Sequence, residues 1–401
     1  MKIVYPTDNY WPHVSGMAVS IDSFKKEFEK LGHELHVFCS IYPGHENIDK
    51  EMNNKNVHRF PGYPMLFSSG GKPEDWLVYP WSRKKIYKEL DIVKPDLIHL
   101  QTEFPMPRFC WDYAAEKNIP LVATAHTYFE EYVKIYYPYL PDFFIKRYVP
   151  YRLLKAYNRA RIVIAPTQQM ADVLKSYKIK RPVFIIPTGI NENEFSGTDK
   201  QKEKKNSKFY KEYPILKNKK ILFYAGRVGA EKNVNFLLDV LDDVLKEIPD
   251  AMLVIAGSGP KIDLFKQLYT ERGLDKHIIM LGYVERTIIK YWYALADVLV
   301  FPSKTETQGL VTIESMYCST PVVAIGVMGT TDVMKGDNGG FMVEEDHNKF
   351  SGKVKLLLTD KKLYAKKSVE AKKYSMNWTS EKSAADLEKL YEEVLSGKFS
   401  K

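Results

Sequence analysis

Ser303-Lys304-Thr305-Glu306-Thr307-Gln308-Gly309-Leu310-Val311-Thr312-Ile313-Glu314 is the stretch on which the fold turns. It follows an apolar run, Val298–Phe301, that predicts a buried strand. It leads into Leu310, Ile313, Met316 and Tyr317, which recur at helical spacing. A loop therefore leaves a strand and enters a helix at Gly309. The start of such a helix offers unpaired N–H groups and a positive dipole end, both suited to a phosphate. Two carboxylates flank it, Glu306 and Glu314, with seven residues between them. Donor groups for a diphosphate beside carboxylates for sugar hydroxyls are what a nucleotide-sugar needs. An ordinary loop with two solvated glutamates fits this stretch equally well when it is read alone.

Outward from that strand, the second half of the chain repeats one pattern. Apolar runs at 221–225, 252–256, 278–281 and 321–325 alternate with helical segments at 234–248 and 262–272. The first half does the same, with runs at 2–5, 34–38, 96–100, 120–125, 161–165 and 183–186. Its first helix shows one face through Ile21, Phe24, Phe28 and Leu31, and Gly32 ends it. Strands alternating with helices predict parallel sheets covered on both faces. Residues 200–220 interrupt the alternation with nine lysines, two glutamates and no periodic apolar face, and read as a solvated linker or an exposed helix, with the linker as the default. The expected organisation is two α/β Rossmann-like domains, residues 1–197 and 198–401, facing each other across a cleft. In such sheets ligands bind at the carboxyl ends of the strands. The tail, 379–396, carries Leu387, Leu390, Tyr391 and Val394 at helical spacing. It must pack on one of the domains, and packing back on the first is one option.

Composition bounds the function class. The chain has 401 residues, 45% of them hydrophobic, which allows two or three domains with full cores. A net charge of +9 permits anionic partners without choosing among them. Cys39, Cys110 and Cys318 are odd in number and far apart, which argues against a disulfide framework or zinc site and fits a reducing cytosol. The first residues read as a strand and not as a secretory segment. No apolar run approaches the ~18–20 residues of a membrane span, so any membrane contact would be peripheral.

Gly226-Arg227-Val228-Gly229-Ala230-Glu231-Lys232-Asn233 follows the first strand of the second half and opens a helix. Arg227 and Lys232 would hold a diphosphate and stabilise it as it leaves. The loop alone also reads as a basic surface turn. Beside the 303–314 stretch, on the same sheet, the diphosphate reading is the stronger one. No Asp-x-Asp occurs in the chain. Cations and a helix dipole replace a metal here, so no cofactor and no metal are expected.

Together these motifs resemble the retaining glycosyltransferases of the GT-B fold, over nearly the whole chain. The resemblance implies transfer from a UDP-sugar. It places Arg227 and Lys232 at the donor diphosphate, Glu306 at the donor sugar and Glu314 at the ribose hydroxyls. The backbone of Gln308, Gly309, Leu310 and Val311 would meet phosphate or sugar. Gly16 matches the glycine loop of the first domain, with Ser15 where a second glycine is more usual. Gly257 and Gly259 resemble a Gly-x-Gly turn near the nucleotide, and read equally as a tight strand end. His126, after the 120–125 run, matches the active-site histidine, with a positioning role beside sugar and acceptor. The implied catalytic set is His126, Arg227, Lys232 and Glu306.

From His126 to Arg161 the chain carries eleven Tyr or Phe and seven Lys or Arg, against three acidic residues. Tyr136, Tyr137, Phe143 and Phe144 alternate with Lys146, Arg147 and Arg152. Rings and cations so interleaved suit an anionic membrane surface. A buried helical insertion is the other reading. Single-stranded nucleic acid suits the pattern too, but no RNA-binding fingerprint accompanies it, and no nucleic-acid partner is expected. Gln308 within Thr305–Gly309, His126-Thr127-x2-Glu130-x-Tyr132 and Pro187-Thr188-Gly189-Ile190 resemble the diacylglycerol glucosyltransferase subgroup, with Asn191 where Asp is usual. That resemblance implies glucose transfer from UDP-glucose to diacylglycerol at the cytoplasmic face of a membrane. UDP-galactose, or phosphatidylinositol or a soluble sugar as acceptor, stays open. So does a non-catalytic basic lipid- or nucleic-acid-binding scaffold, against which stands the set Arg227, Lys232, Glu306 and Glu314.

Overall fold

The computed structural model describes residues 1–13, 15–51, 55–65, 76–136 and 139–399. They form two compact units, Met1–Gly189 with Ser380–Lys401 (unit 1) and Ile190–Thr379 (unit 2).

Unit 1 contains β1 (Lys2–Pro6), β2 (Glu34–Ser40), β3 (Val57–Phe60), β4 (Gly62–Pro64), β5 (Trp76–Val78), β6 (Leu97–Leu100), β7 (Leu121–Thr124), β8 (Ile162–Ala165) and β9 (Val183–Ile185). Seven of them make one sheet in the order β3-β2-β1-β6-β7-β8-β9, with every pair parallel. β4 and β5 pair antiparallel on their own. The inner strands β6, β7 and β8 are buried at every residue, which is why they read as continuous apolar runs and not as alternation. The order reverses between β1 and β6, the switch point where an α/β sheet opens at its carboxyl edge.

The tail helix, Ser380–Leu395, belongs to unit 1. Leu387, Leu390, Tyr391 and Val394 are buried with Ile3, Tyr5, Ile21 and Phe28 of β1 and the helix Gly16–Lys30. Its polar anchors match. Ser380 Oγ donates to Glu27 (2.8 Å), and His33 Nε2 meets Glu388 at 2.6 Å.

Unit 2 contains β10 (Lys220–Ala225), β11 (Ala251–Ala256), β12 (Ile278–Gly282), β13 (Val298–Phe301), β14 (Val322–Ile325) and β15 (Gly340–Val343). The sheet runs β12-β11-β10-β13-β14-β15, all parallel. Alternate residues of β10 serve two apolar layers, Ile221 and Phe223 on one face, Leu222 and Tyr224 on the other. Here the order reverses between β10 and β13.

The structure corrects two expectations. Residues 200–220 are not the default linker, and the helical alternative is nearer to what they form. They fold within unit 2 as helices Lys200–Asn206 and Phe209–Glu212 and a turn Pro214–Leu216. Asp199 caps the first helix, accepting from the N–H of Gln201 (2.9 Å) and Lys202 (3.1 Å). Lys200 Nζ donates to the carbonyls of Ala294 (3.3 Å) and Ala296 (2.5 Å) and to Thr320 Oγ1 (2.5 Å), and burial pulls its pKa down to about 7. Phe209 stacks on Trp292 with ring centroids 4.0 Å apart, and Leu216 is fully buried. Two apolar anchors hold a lysine-rich surface segment, too sparse to show as a periodic face. Secondly, the chain leaves unit 1 at residue 189, not 197, because Ile190 and Phe195 lie in the unit 2 core. Among the described residues, no helix is long and apolar enough to cross a membrane.

Candidate functional site

In unit 2 the loops after β10 and β13 stand side by side because these strands are neighbours, with Leu222 opposite Val298 and Phe223 opposite Leu299. They carry Arg227 and Lys232 on one side and Glu306 on the other. Lys232 Nζ donates to Glu306 Oε1, which also accepts from Ser303 Oγ (2.9 Å). Arg227 Nη1 reaches Glu231 Oε1 at 3.3 Å, and Thr305 Oγ1 donates to the Glu231 carbonyl (3.2 Å). The two expected cations are thus brought together with two carboxylates, Glu306 and Glu231. Glu231 lies within the Gly226–Asn233 stretch, of which only Arg227 and Lys232 were expected to act.

Gly309 adopts φ +79° just before the helix Leu310–Tyr317, and no side chain caps that end. Thr312 instead donates twice to the Gly309 carbonyl, from N (3.0 Å) and Oγ1 (2.7 Å). Gln308 is buried. The loop is braced from behind by Gly329, whose N–H donates to the Glu306 carbonyl (2.9 Å). A Cβ on Gly329 would lie 2.2 Å from the Thr307 carbonyl oxygen. The adjoining Met328 takes φ +52°, a region bulky residues avoid.

Gly257 has a packing reason in this structure. At φ +156° it lies so close to Gly226 that a Cβ would fall 1.8 Å from the Gly226 carbonyl oxygen. Gly226 N donates to the Ala256 carbonyl (2.9 Å) and Val228 N to the Ser258 carbonyl (3.0 Å). The glycines let the loops after β10 and β11 run backbone to backbone, which fixes Arg227.

Glu314 sits deeper. It is 3% exposed, and each carboxylate oxygen has one protein donor. Arg286 Nη1 donates to Oε1 (3.0 Å) and Tyr293 OH to Oε2 (2.8 Å). Arg286 Nε also donates to Glu194 Oε2 (3.2 Å).

Unit 1 holds the remaining candidates. Ser15 Oγ accepts from Ala18 N (3.1 Å) and caps the helix that Gly16 opens. A Cβ on Gly16 would meet nothing within 4 Å, so nothing in unit 1 requires glycine there. His126 follows β7, with Nε2 2.8 Å from Gln101 Oε1. Gln101 Nε2 donates to the His99 carbonyl (3.3 Å), which orients the amide. Its oxygen then faces His126, so the imidazole carries its proton on Nε2 and leaves Nδ1 as an acceptor. Burial lowers the His126 pKa to about 4, which keeps it neutral near pH 7. Next along the same carboxyl edge, Tyr157 OH donates to Glu103 Oε1. Burial raises the Glu103 pKa to about 7, opposed in part by that hydrogen bond. Asp8, after β1, accepts from Met106 N at 3.3 Å and so covers the start of the helix Pro105–Lys117, which has no cap of its own.

The aromatic–basic segment forms the helices Phe129–Tyr136 and Asp142–Tyr157, and the second is two-faced. Ile145, Val149, Leu153 and Ala156 face the core, while Phe143 (63%), Phe144 (55%), Tyr148 (60%) and Tyr151 (62%) are exposed. Lys146, Arg147 and Arg152 are exposed on the same helix. The reading as a buried insertion therefore fails for Phe143, Phe144, Tyr148 and Tyr151 but holds for Tyr157, and Tyr128 and Phe129 pack partly buried against the core. Tyr137 lies outside the described residues, as does the side chain of Tyr136. Among the described residues, no group of three or more His, Cys, Asp or Glu is placed to hold a metal ion.

Residues 205–374 match the family "Glycosyl transferases group 1", and residues 14–194 match "Glycosyltransferase Family 4". The chain is 31% identical to an alpha-monoglucosyldiacylglycerol synthase of Streptococcus pneumoniae, over 81% of this chain and 71% of that one. The chain belongs to the group 1 glycosyltransferases. An alpha-monoglucosyldiacylglycerol synthase of Acholeplasma laidlawii is 27% identical to this glycosyltransferase, over 80% of each chain. The GT-B fold is shared with Anabaena Alr3699/HepE, crystallised with UDP and glucose (TM-score 0.78, 16% identity, 98% of this chain and 99% of that one).

For this glycosyltransferase the sequence motifs located the loops but missed several of the side chains around them. Glu231, Arg286 and Tyr293 touch the singled-out residues in unit 2, and Gln101 holds His126 in unit 1. Glu231 lay inside the 226–233 stretch and Gln101 directly after the 96–100 run, while Arg286 and Tyr293 carried no local signal.

Proposed function

We propose that this glycosyltransferase transfers glucose from UDP-glucose to the free hydroxyl of 1,2-diacylglycerol, with retention, giving a 3-α-glucosyl-diacylglycerol. The observation that carries sugar transfer is the Arg227–Lys232–Glu306 constellation at the switch point of unit 2. In the transition state the anomeric carbon becomes cationic while negative charge grows on the departing diphosphate. Two cations beside it gain most at that moment, which is how they would lower the barrier without a metal. Glu306 accepts from the sugar hydroxyls, and Glu314 from the ribose. His126 offers Nδ1 to a substrate hydroxyl.

The lipid acceptor is supported by the two relatives named for monoglucosyldiacylglycerol synthesis and by the exposed rings and cations of the helix Asp142–Tyr157. Such a face would rest on an anionic membrane surface, peripherally and from the cytoplasmic side. The test is incubation with labelled UDP-glucose or UDP-galactose and mixed micelles containing diacylglycerol, with and without EDTA. A lipid-soluble α-glucoside formed equally in both is expected. Turnover only on a water-soluble acceptor rejects the lipid reading. Preference for UDP-galactose reassigns the sugar, and EDTA-sensitive turnover restored by a divalent cation rejects metal independence.

A further inference from the structure

Glu314 is the carboxylate assigned above to the ribose, yet the structure buries it with both oxygens held. Arg286 Nη1 donates to one (3.0 Å) and Tyr293 OH to the other (2.8 Å). Arg286 and Tyr293 lie on one helix, Arg286–Leu295, and Glu314 on the next, Leu310–Tyr317. The same guanidinium donates through Nε to Glu194 (3.2 Å) and lies 5.5 Å from the centre of the Phe195 ring. Glu194 and Phe195 form part of a short helix, Glu192–Phe195, just after the chain enters unit 2. One cation thus orders three segments around one carboxylate.

We propose that Arg286 is a positioning residue of the donor site, fixing the Glu314 carboxylate for the ribose hydroxyls of the nucleotide. The inference rests on the UDP-sugar reading above. A carboxylate oxygen accepts about two hydrogen bonds, so each oxygen of Glu314 keeps one acceptor position after its protein donor. A carboxylate so placed accepts from neutral donors such as the hydroxyls of a vicinal diol. The planar fork of arginine sets the rotation of the carboxylate, which lysine as a point charge does not. Without it, Tyr293 holds a single oxygen and the carboxylate turns.

The test compares binding of UDP and 2′-deoxy-UDP to the full chain by calorimetry. Wild type is expected to prefer UDP by about tenfold or more, the worth of a hydrogen bond to a charged group. Arg286→Gln is expected to bring the two affinities within about twofold, raising KM for the UDP-sugar more than it lowers kcat. Arg286→Lys restores part of the preference and decides the matter if Arg286→Gln does not fold. Equal weakening of both ligands, or an unchanged preference, marks Arg286 as a scaffold residue and overturns the proposal. A wild type that binds both ligands alike overturns it too, leaving the donor reading intact. Absence of any UDP binding by wild type rejects the donor reading itself.

Discussion

The Lys232 ammonium and the Glu306 carboxylate form an ion pair that joins the loop after β10 to the loop after β13. The pair spans the point where the strand order of unit 2 reverses, and within the loop after β10 Arg227 pairs with Glu231. Both cations are therefore held by carboxylates. A diphosphate would compete with the two carboxylates for the two cations, while Glu306 turns to a sugar hydroxyl. Binding and chemistry would draw on the same contacts.

Lys232→Ala and Glu306→Ala are each expected to reduce kcat with a UDP-sugar by about 10²–10³, the cost of removing one group that stabilises developing charge. The double variant is expected to lose little more than the worse single, because the two act as a unit. Steady-state turnover of the four proteins checks both points. Near-normal turnover of either single variant removes that residue from the site, and strict additivity removes the coupling.

His126 and Glu103 are expected to give opposite pH dependences of stability. The His126 pKa lies near 4, below the ordinary 6.5, so between those values the unfolded chain takes up a proton that the native chain refuses. Stability then falls as pH drops through that window. The Glu103 pKa lies near 7, above the ordinary 4.5, so there the native chain keeps a proton that the unfolded chain has lost. Its contribution is present in full below 4.5 and is lost as pH rises to about 7. Melting curves across this range should show Glu103→Gln gaining on wild type as pH rises, and His126→Gln gaining as pH falls. Parallel curves for either variant would contradict the assigned shift.

What the sequence revealed follows from where each element sits. The inner strands are buried on both faces, so β6, β8, β10 and β13 stand out as apolar runs. Edge strands were read unevenly: β9 and β12 showed as apolar runs, whereas β3, Val-His-Arg-Phe, is broken by polar residues and β15, Gly-Phe-Met-Val, is short and opens on glycine. Loops that end inner strands were legible for the same reason, which is how Arg227, Lys232 and Glu306 came to be placed at strand ends, while His126 was picked out by the family resemblance. Arg286 was not, since its partners stand 28 and 92 residues away and no local pattern connects them. Residues 200–220 misled because helix caps and single aromatic anchors leave no period to read.

The tail helix is expected to be indispensable to unit 1. Tyr391 OH lies 2.7 Å from Tyr5 OH and 2.5 Å from His99 Nδ1, and His99 Nε2 lies 2.6 Å from Thr124 Oγ1. All four residues are buried, so Tyr391→Phe leaves polar atoms of Tyr5 and His99 without this partner. The cost is expected to be about 1–3 kcal/mol. For a unit of this size that lowers Tm by roughly 2–4 °C per kcal/mol. A chain ending at residue 379 loses the whole apolar face and is expected not to fold unit 1. An unchanged Tm for Tyr391→Phe would show that the network contributes nothing net.

The exposed face of the helix Asp142–Tyr157 gives the last prediction. Its core face, Ile145, Val149, Leu153 and Ala156, is satisfied within unit 1. Phe143 and Phe144, with ring centroids 4.1 Å apart, and Tyr148 and Tyr151 remain in solvent beside Lys146, Arg147 and Arg152. Each cation near an anionic bilayer is worth about 1 kcal/mol. Replacing all three with alanine should therefore weaken binding to phosphatidylserine-containing vesicles by about two orders of magnitude. Raised salt should weaken wild type in the same direction. Replacing Phe143 and Phe144 should weaken binding with little change in its salt dependence, because rings bury area and release no counter-ions. Sedimentation with vesicles of graded phosphatidylserine content checks each variant. Undiminished binding of the triple alanine variant would place the membrane contact elsewhere on the chain. Binding that ignores lipid charge would show that the rings alone hold the enzyme to the surface.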